Sequence, residues 1–230
     1  MDIQELSIGL IGGTGEEGRG LALRWAIAGA QVSIGSRTLD RAKTTADELN
    51  QILNGRALQP APQPIGYGEN RDVIARSEAV LLTVPFAHAA STLEAHRGDF
   101  RQGSILIDIT VPVSFEQGRV RYVDLPEGSA SEHLKTLLPE NIPLIAAFKT
   151  EPAHLLAEID EPLDCDSFVA GDSKEAKARV MEAIGFITSL RAVDAGTLYS
   201  ARTLERMTVL AIGINRRYKI KTARYRVIGL

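Results

Sequence analysis

Apolar residues follow two different periods along this chain. Short runs rich in β-branched residues occur at residues 7–12, 31–36, 78–85, 104–110, 143–148 and 167–171. Between the first runs, residues 15–30 carry apolar side chains at helical spacing, and residues 39–53 are rich in strong helix formers. Strands that alternate with helices in this way are typical of a parallel sheet covered by helices. The pattern therefore predicts an α/β fold with a doubly wound parallel sheet.

The pattern changes after residue 148. Residues 174–190 predict one amphipathic helix. A second helix is predicted further on by an apolar stripe of Leu204, Met207, Leu210, Ala211 and Ile214. We therefore predict a larger domain at residues 1–150 and a smaller, mainly helical C-terminal domain at residues 151–230.

One internal segment predicts a loop. Residues 54–70 carry three prolines and three glycines, which break helices and strands alike. A single edge strand near Ile65 is the most regular structure that this segment predicts.

The composition indicates a soluble globular protein. Hydrophobic residues make up 44% of the chain and charged residues 24%. No apolar run reaches the roughly 18 residues that cross a membrane, and the N-terminal segment lacks the pattern of a secretory signal. The single Cys165 cannot form an internal disulfide, which fits a reducing compartment. We therefore expect a cytoplasmic protein.

The charge is unevenly distributed. A net charge of -3 argues against a general nucleic-acid binder. Residues 216–226, however, contain six basic side chains and no acidic one. This basic segment either binds an anion or only keeps the protein in solution.

A glycine motif follows the first predicted strand. Gly13, Gly15 and Gly18 have the spacing GxGxxG, after an apolar strand and at the start of a predicted helix. In this setting the first glycine permits a tight turn, the second lets backbone N–H groups approach a pyrophosphate, and the third permits close helix packing. Free N–H groups and the helix dipole both favour an anion at that helix N-terminus. The motif therefore predicts a dinucleotide site.

Two carboxylates complicate this site. Glu16 and Glu17 lie inside the motif, where they would repel a pyrophosphate. We expect their side chains to point outward or to pair with Arg19. Alternatively, they are first-turn acids that complement the helix N-terminus.

The end of the second predicted strand indicates which dinucleotide is bound. Sites specific for NAD present Asp or Glu there, which binds the ribose 2′-hydroxyl and repels the 2′-phosphate of NADP. This chain has Ser36 and Arg37 instead, with Arg41 one helical turn later and Thr14 facing them. A hydroxyl and two guanidinium groups suit a phosphate, the alternative being that both arginines only begin a solvated helix. We predict NADP(H).

Five segments of this chain together resemble the NADPH-dependent reductases of the deazaflavin coenzyme F420: GLIGGTGEEGRGLALRWA, IGSR, LLTVPFAHA, TVPVS and VDAGTLYSARTLERMT. The likeness extends from about residue 7 to about residue 215. The first two segments are shared with many dinucleotide enzymes, whereas the last is more particular to this group. The resemblance implies a Rossmann-type domain for NADP and a C-terminal domain that closes over F420.

The resemblance also implies site residues. It places NADP against Thr14, Gly15, Glu16, Glu17, Ser36, Arg37 and Arg41. It places the NADP ribose and nicotinamide against the turn Thr83, Val84 and Pro85, and the deazaflavin against Arg202 and Thr208.

Three positions depart from the family pattern. Lys149 stands where a His is familiar, Glu151 where an aliphatic residue is familiar, and Arg206 where a small polar residue is familiar. An unpaired buried carboxylate at Glu151 is costly beside an apolar ring, so we expect it to pair with Lys149. The positive charges of Lys149, Arg206 and the basic segment predict a surface that binds the anionic tail of F420.

No residue of the chain is a firm catalytic acid, base or nucleophile. This fits direct hydride transfer between two rings stacked at about 3–3.5 Å. His88 either orients a ring, relays a proton or is a structural helix residue. The other histidines show no ligand spacing with each other or with Cys165, so no metal site is predicted.

Three functions stay open at this point. The first is hydride transfer between NADP(H) and F420, and the second is NADPH-dependent reduction of a flavin, imine or quinone on the same scaffold. The third is a non-catalytic NADPH sensor that binds a partner through the basic segment. The C-terminal signature favours an enzyme. Its expected partners are a small-molecule hydride acceptor and a second copy of the chain, without nucleic acid or membrane.

Overall fold

Ten strands alternate with eight α-helices in the computed structural model, which describes residues 3–56, 58 and 61–230. The strands are β1 (Ser7–Ile11), β2 (Gln31–Ser36), β3 (Gly66–Glu69), β4 (Ala79–Leu82), β5 (Ile105–Asp108), β6 (Val113–Glu116), β7 (Arg119–Tyr122), β8 (Leu144–Ala146), β9 (Cys165–Ala170) and β10 (Leu190–Gly196). The helices are α1 (Glu16–Ala28), α2 (Leu39–Asn54), α3 (Asn70–Arg76), α4 (Phe86–Ala95), α5 (Ala130–Leu137), α6 (Ala153–Ala157), α7 (Lys174–Gly185) and α8 (Ala201–Tyr218).

Eight of these strands form one sheet, in the order β10-β9-β8-β5-β4-β1-β2-β3. Neighbouring strands run parallel, except that β8 and β9 are antiparallel where Ala146 pairs with Ala170. The chain winds outward from β1 through β2 to β3, then returns to β4 on the other side of β1. Ligands of such sheets bind at this switch point, beyond the carboxyl ends of the strands.

Helices cover both faces of the sheet. One face packs against α1, α2 and α7, around Trp25, which is fully buried. The Trp25 indole N–H donates to the Ala183 carbonyl at 2.9 Å, and its ring meets Phe148 edge to face. The other face packs against α4, α5 and α8. The predicted doubly wound α/β fold is confirmed.

The sheet continues past residue 150, because β9 and β10 are its last two strands. The helix α8 and the following segment form the helical part of the C-terminal region. The division into domains at residues 1–150 and 151–230 stays a prediction. The helix predicted at 174–190 is too long, since α7 ends at Gly185 and the chain turns into β10.

The hairpin β6–β7 and the strand β10 are among the elements that were absent from the sequence prediction. The hairpin β6–β7 has four-residue strands with mostly exposed, charged positions, so it lacks an apolar run. β10 lies at the sheet edge, and the six residues that follow its buried Leu190 are half buried or exposed. In the predicted loop, residues 57, 59 and 60 lie outside the described part of the chain. No described helix combines the length and apolar character that a membrane span requires.

Candidate functional site

A cleft of about 870 Å³ opens at the carboxyl ends of the central strands. Its walls come from the β1–α1 turn, the turns after β4 and β5, the segment after β8, the hairpin, α8 and the C-terminal segment. The predicted residues that line it are Gly15, Glu16, Glu17, Gly18, Thr83, Val84, Pro85, Lys149 and Thr208. The cleft therefore joins the predicted dinucleotide loop to part of the predicted acceptor site.

A second cavity, of about 320 Å³, adjoins the cleft and shares Val84 and Pro85 with it. It is lined by the other predicted dinucleotide residues, Thr14, Ser36, Arg37 and Arg41, together with His88 from α4. Except for Gly13, which lines neither of them, the predicted dinucleotide residues thus line two neighbouring cavities that share the turn after β4. His88 lies with the 2′-phosphate candidates rather than in the larger cleft.

Glycine at each of the three motif positions has a different structural explanation. A Cβ on Gly18 would come within 2.8 Å of the Gly13 Cα, so these two residues let α1 pack closely on the β1 turn. The Gly13 N–H donates to the Leu10 and Gly35 carbonyls. A Cβ on Gly15 would meet no protein atom within 4 Å. Since no packing requires a glycine there, close approach of a ligand explains Gly15 best.

The small cavity contains uncompensated hydrogen-bond donors. Arg37 and Arg41 are exposed, and neither guanidinium group forms an ion pair or hydrogen bond within the described part of the chain. Ser36 beside them is buried at the end of β2. Two free cations and a hydroxyl fit a phosphate group. The residues present therefore fit NADP.

The two motif carboxylates behave differently from each other. Glu16 is exposed and lies 3.5 Å from His154. Glu17 lines the cleft, where desolvation and then the nearby charge of Glu151 raise its pKa to about 8. Of the two alternatives for these side chains, Glu16 points outward, and neither residue pairs with Arg19, which pairs with Glu48 at 2.7 Å. A largely protonated Glu17 removes one of the two charges that would repel a pyrophosphate.

Lys149 is committed to a buried network. Its ammonium group lies 2.8 Å from Asp108 and 3.3 Å from Glu205, and it donates to the Thr110 carbonyl. Burial lowers the pKa of Lys149, but the two carboxylates outweigh this effect and hold it above its ordinary value. The expected pairing of Lys149 with Glu151 was wrong. Asp108, Glu205 and Thr110 supply acceptors for all three N–H donors of the ammonium group, so this group is not free to bind an anionic ligand.

Glu151 has a different environment. It is 6% exposed, and its Oε2 accepts hydrogen bonds from the backbone N–H and hydroxyl of Thr150. Its Oε1 has no partner of hydrogen-bonding geometry. Burial raises the pKa of Glu151 to about 7.

The predicted acceptor residues on α8 divide into two groups. Thr208 lines the cleft, and its hydroxyl donates to the Lys149 carbonyl at 2.6 Å. Arg202 is outside the cleft lining, where it binds both oxygens of Glu132 at 2.8 Å and stacks on Tyr199. Arg206 is also outside, paired with Asp124 over the Tyr122 ring. Of these three residues on α8, only Thr208 lines the cleft.

Several lining residues were missed by the sequence analysis. The hairpin and the loop after it contribute Phe115 and Val123, and the C-terminal part of the chain contributes Asn215, Lys221 and Ala223. The basic segment carried a signal for Lys221, but nothing in the sequence placed that segment beside the cleft. Among the described residues, no group of three or more His, Cys, Asp and Glu side chains is arranged to hold a metal ion.

Known proteins resemble this chain along its length. The family described as NADP oxidoreductase coenzyme F420-dependent matches residues 7–112. A protein of Methanothermobacter thermautotrophicus named F420-dependent NADP reductase is 37% identical, over 99% of this chain and 97% of the relative. A protein of the same name from Methanocaldococcus jannaschii is 34% identical, over 98% of this chain and 99% of the relative.

A solved structure shows the same fold. It comes from Arthrobacter sp. FB24, is provisionally described as an F420-dependent NADP reductase, and superposes with a TM-score of 0.79. It covers 96% of this chain and 99% of its own, at 22% identity. Together with the identity and coverage of the two archaeal relatives, these likenesses show that the chain belongs to the family of coenzyme F420-dependent NADP oxidoreductases.

Proposed function

We propose that this protein transfers a hydride between NADP(H) and coenzyme F420. The observation that carries the proposal is the pairing of the two cavities, a small one with free cations and a large cleft, which share Val84 and Pro85. NADP fits across both cavities, and the remainder of the cleft has room for a second ring. The names of the archaeal relatives support the choice of F420.

The dinucleotide half of the site contributes by positioning NADP(H). Ser36, Arg37 and Arg41 hold the 2′-phosphate, and Gly15 lets the pyrophosphate approach the N-terminus of α1. The Thr83 hydroxyl donates to the Ile11 carbonyl at 2.8 Å, which fixes the turn on which the nicotinamide lies. NADPH, when bound, supplies the hydride from the nicotinamide ring.

The acceptor half combines apolar and cationic surfaces. Phe115, Val123 and Ile212 present apolar side chains to the cleft, and Thr208 lies among them. Lys221 is the exposed cation of the lining and suits an anionic tail. Contact of Arg202 with the deazaflavin stays a prediction from the family resemblance, and contact of Arg206 with the anionic tail stays a prediction from its charge, since both side chains are paired elsewhere.

We also infer that the protein is a cytoplasmic homodimer that does not bind nucleic acid. Large exposed apolar side chains cluster in the C-terminal part of the chain, at Leu210, Tyr218, Ile220, Ile228 and Leu230, and such a surface supports self-association. The lone buried Cys165 fits a reducing compartment. Light scattering of the purified protein tests the dimer, and a monomeric mass would contradict it.

The activity is tested by mixing the purified protein with NADPH and oxidised F420 and following the loss of F420 absorbance. We expect rapid reduction with NADPH and much slower reduction with NADH. A flavin, a quinone and a cyclic imine serve as comparison acceptors. Reduction of one of these without reduction of F420 would show that the scaffold serves another acceptor.

A further inference from the structure

Two acidic side chains face the cleft without a cation of their own. Glu17 lies in the first turn of α1, and Glu151 follows β8. The Glu17 carboxyl group forms no hydrogen bond or ion pair within the described part of the chain, although it lines the cleft. Glu151 is more than nine-tenths buried, and its Oε1 has no partner of full hydrogen-bonding geometry, although the nearby Ser167 side chain partly offsets the effect of burial on its pKa.

The backbone holds these two residues in place. Arg24 of α1 donates to the carbonyls of Leu155, Leu156, Glu158 and Glu161, at 2.9 to 3.0 Å. A Cβ on Gly20 would come within 2.6 Å of the Leu156 carbonyl carbon, so α1 and the segment after Glu151 are in backbone contact. The backbone positions of Glu17 and Glu151 relative to each other are therefore set by packing.

The charges around the pair favour a bound proton. The positive charge of Lys149 lowers the pKa of Glu17, but desolvation and the nearby carboxylates outweigh it, and the ammonium group is already bound to Asp108 and Glu205. Asp108 and Glu16 add further negative charge near Glu17, and the buried thiol of Cys165 lies near Glu151. The pKa of Glu17 is raised to about 8 and that of Glu151 to about 7, chiefly by desolvation. Close to neutral pH the pair keeps at least one proton.

The proposed reaction requires a proton as well as a hydride. NADPH, one proton and the oxidised deazaflavin give NADP⁺ and the reduced deazaflavin, in which one ring carbon gains the hydride and a conjugated ring nitrogen gains the proton. Of the other titratable groups in the lining, Lys149 is committed to its network, and Glu16 and Lys221 are exposed to solvent.

On the basis of the proposed function, we propose that Glu17 is the general acid that gives this proton to the ring nitrogen of the acceptor. Its O–H bond breaks as the new N–H bond forms, and the carboxylate left behind regains a proton from solvent. Glu151 is a positioning residue, because its carboxyl group beside Glu17 favours the protonated form. In the reverse direction Glu17 accepts the same proton.

The protonation is tested first in the protein without ligands. In protein labelled with ¹³C at the Glu carboxyl carbons, an NMR titration should show a carboxyl resonance that titrates near pH 8 and is absent from the Glu17→Gln variant. In Glu151→Gln the remaining resonance should titrate at lower pH. If no resonance assigned to Glu17 titrates above pH 6, the proposal is overturned.

The catalytic role is tested by the pH profile. At saturating NADPH, we expect Glu17→Gln to reduce kcat for F420 reduction about 100-fold, the usual scale of general acid catalysis. The variant should also lack the decline in kcat that we expect for the unchanged protein as pH rises through 8. Glu151→Gln should retain more activity and show its decline at lower pH. Glu94→Gln, an exposed change on α4, is the matched control with an unaltered profile.

These outcomes separate the two proposals. If the unchanged protein reduces F420 and Glu17→Gln keeps its rate and pH profile, Glu17 is not the acid, while the proposed function stands. If the unchanged protein does not reduce F420 at all, the proposed function fails and this role fails with it.

Discussion

At the level of single residues, we expect Arg37, which lines the small cavity, to determine the preference for NADPH over NADH. We expect Arg37→Asp to weaken NADPH binding by about 1.5–3 kcal/mol, the scale of a lost hydrogen bond to a charged group. Binding of NADH should change little, because it has no 2′-phosphate. Fluorescence titration with both dinucleotides measures the effect.

An exposed arginine outside both cavities provides the control for this change. Arg97→Asp alters the net charge equally but should leave NADPH affinity nearly unchanged. Equal binding of NADPH and NADH by the unchanged protein would contradict the assignment of the small cavity.

The raised pKa of Glu17 predicts how the free energy of unfolding depends on pH. Its pKa lies near 8 in the folded protein and at its ordinary 4.5 when unfolded, so the folded state binds the proton more tightly. This contribution to stability is present in full below pH 4.5 and is lost as pH rises through 8. Thermal melts from pH 5 to 9 should therefore show a smaller fall in Tm for Glu17→Gln than for the unchanged protein. Identical falls in the two proteins would show that the side chain is not buried as a neutral acid.

At the level of elements, a buried charge network ties α8 to the rest of the molecule. Glu205 of α8 accepts hydrogen bonds from the Tyr122 hydroxyl and from the backbone N–H groups that begin α5, and it lies beside Lys149. The single cation of this network neutralises part of the charge of two buried carboxylates. Loss of Lys149 would leave the carboxylates of Asp108 and Glu205 without this counter-charge.

We therefore expect Lys149→Met to reduce the free energy of unfolding by about 3–5 kcal/mol, as when one partner of a buried ion pair is removed. Urea denaturation measures the change. Lys43→Met removes an exposed pair with Asp47 and should have little effect. A similarly small effect at Lys149 would mean that water reaches the network.

Thr208, on the cleft-facing side of α8, is expected to affect the kinetics of F420 reduction. Thr208→Ala should raise the KM for F420, lower kcat, or both, while the dissociation constant for NADPH stays nearly constant, because Thr208 lines the cleft away from the cation cavity. Arg202→Ala provides a comparison, since it releases Glu132 and should also lower Tm. A collapse of NADPH affinity in Thr208→Ala would contradict the separation of the two sites.

At the level of the whole molecule, the C-terminal segment connects the edge of the sheet to the cleft. The Asp166 N–H donates to the Tyr225 carbonyl and the Val227 N–H donates to the Asp166 carboxylate, so the segment is anchored beside β9. This anchoring places Lys221 and Ala223 in the cleft lining.

Lys221 should therefore contribute to binding of the anionic tail of F420. We expect Lys221→Ala to weaken binding of the full coenzyme and to reduce its dependence on salt, since exposed charges are screened beyond about 8 Å at physiological ionic strength. Binding of the tailless ring fragment should not change. F420 fluorescence titrations at low and high salt measure both, and equal loss for the fragment would indicate a contact with the ring instead.

The dinucleotide half of the site was predictable because its signals are local. The glycine turn, the strand before it and the residues at the end of β2 each depend on a few neighbours along the chain. The predicted acceptor half of the site depends on contacts between residues that are far apart in the sequence. Lys149 pairs with Asp108, 41 residues earlier, and Arg202 pairs with Glu132, 70 residues earlier. No spacing rule relates such residues.

The sequence by itself determined most strands of the parallel sheet, the glycine loop and the position of Ser36, Arg37 and Arg41 around the end of β2, because backbone preference and hydrophobic period act between near neighbours. Only the tertiary structure decided which charged groups are free. Lys149 is bound inward, Lys221 reaches the cleft, and Glu17 lines the cleft with its pKa raised by desolvation and by the charge of Glu151. The physical reason is that the free energy of a charge depends on the solvent and charges around it, and folding brings those from every part of the chain.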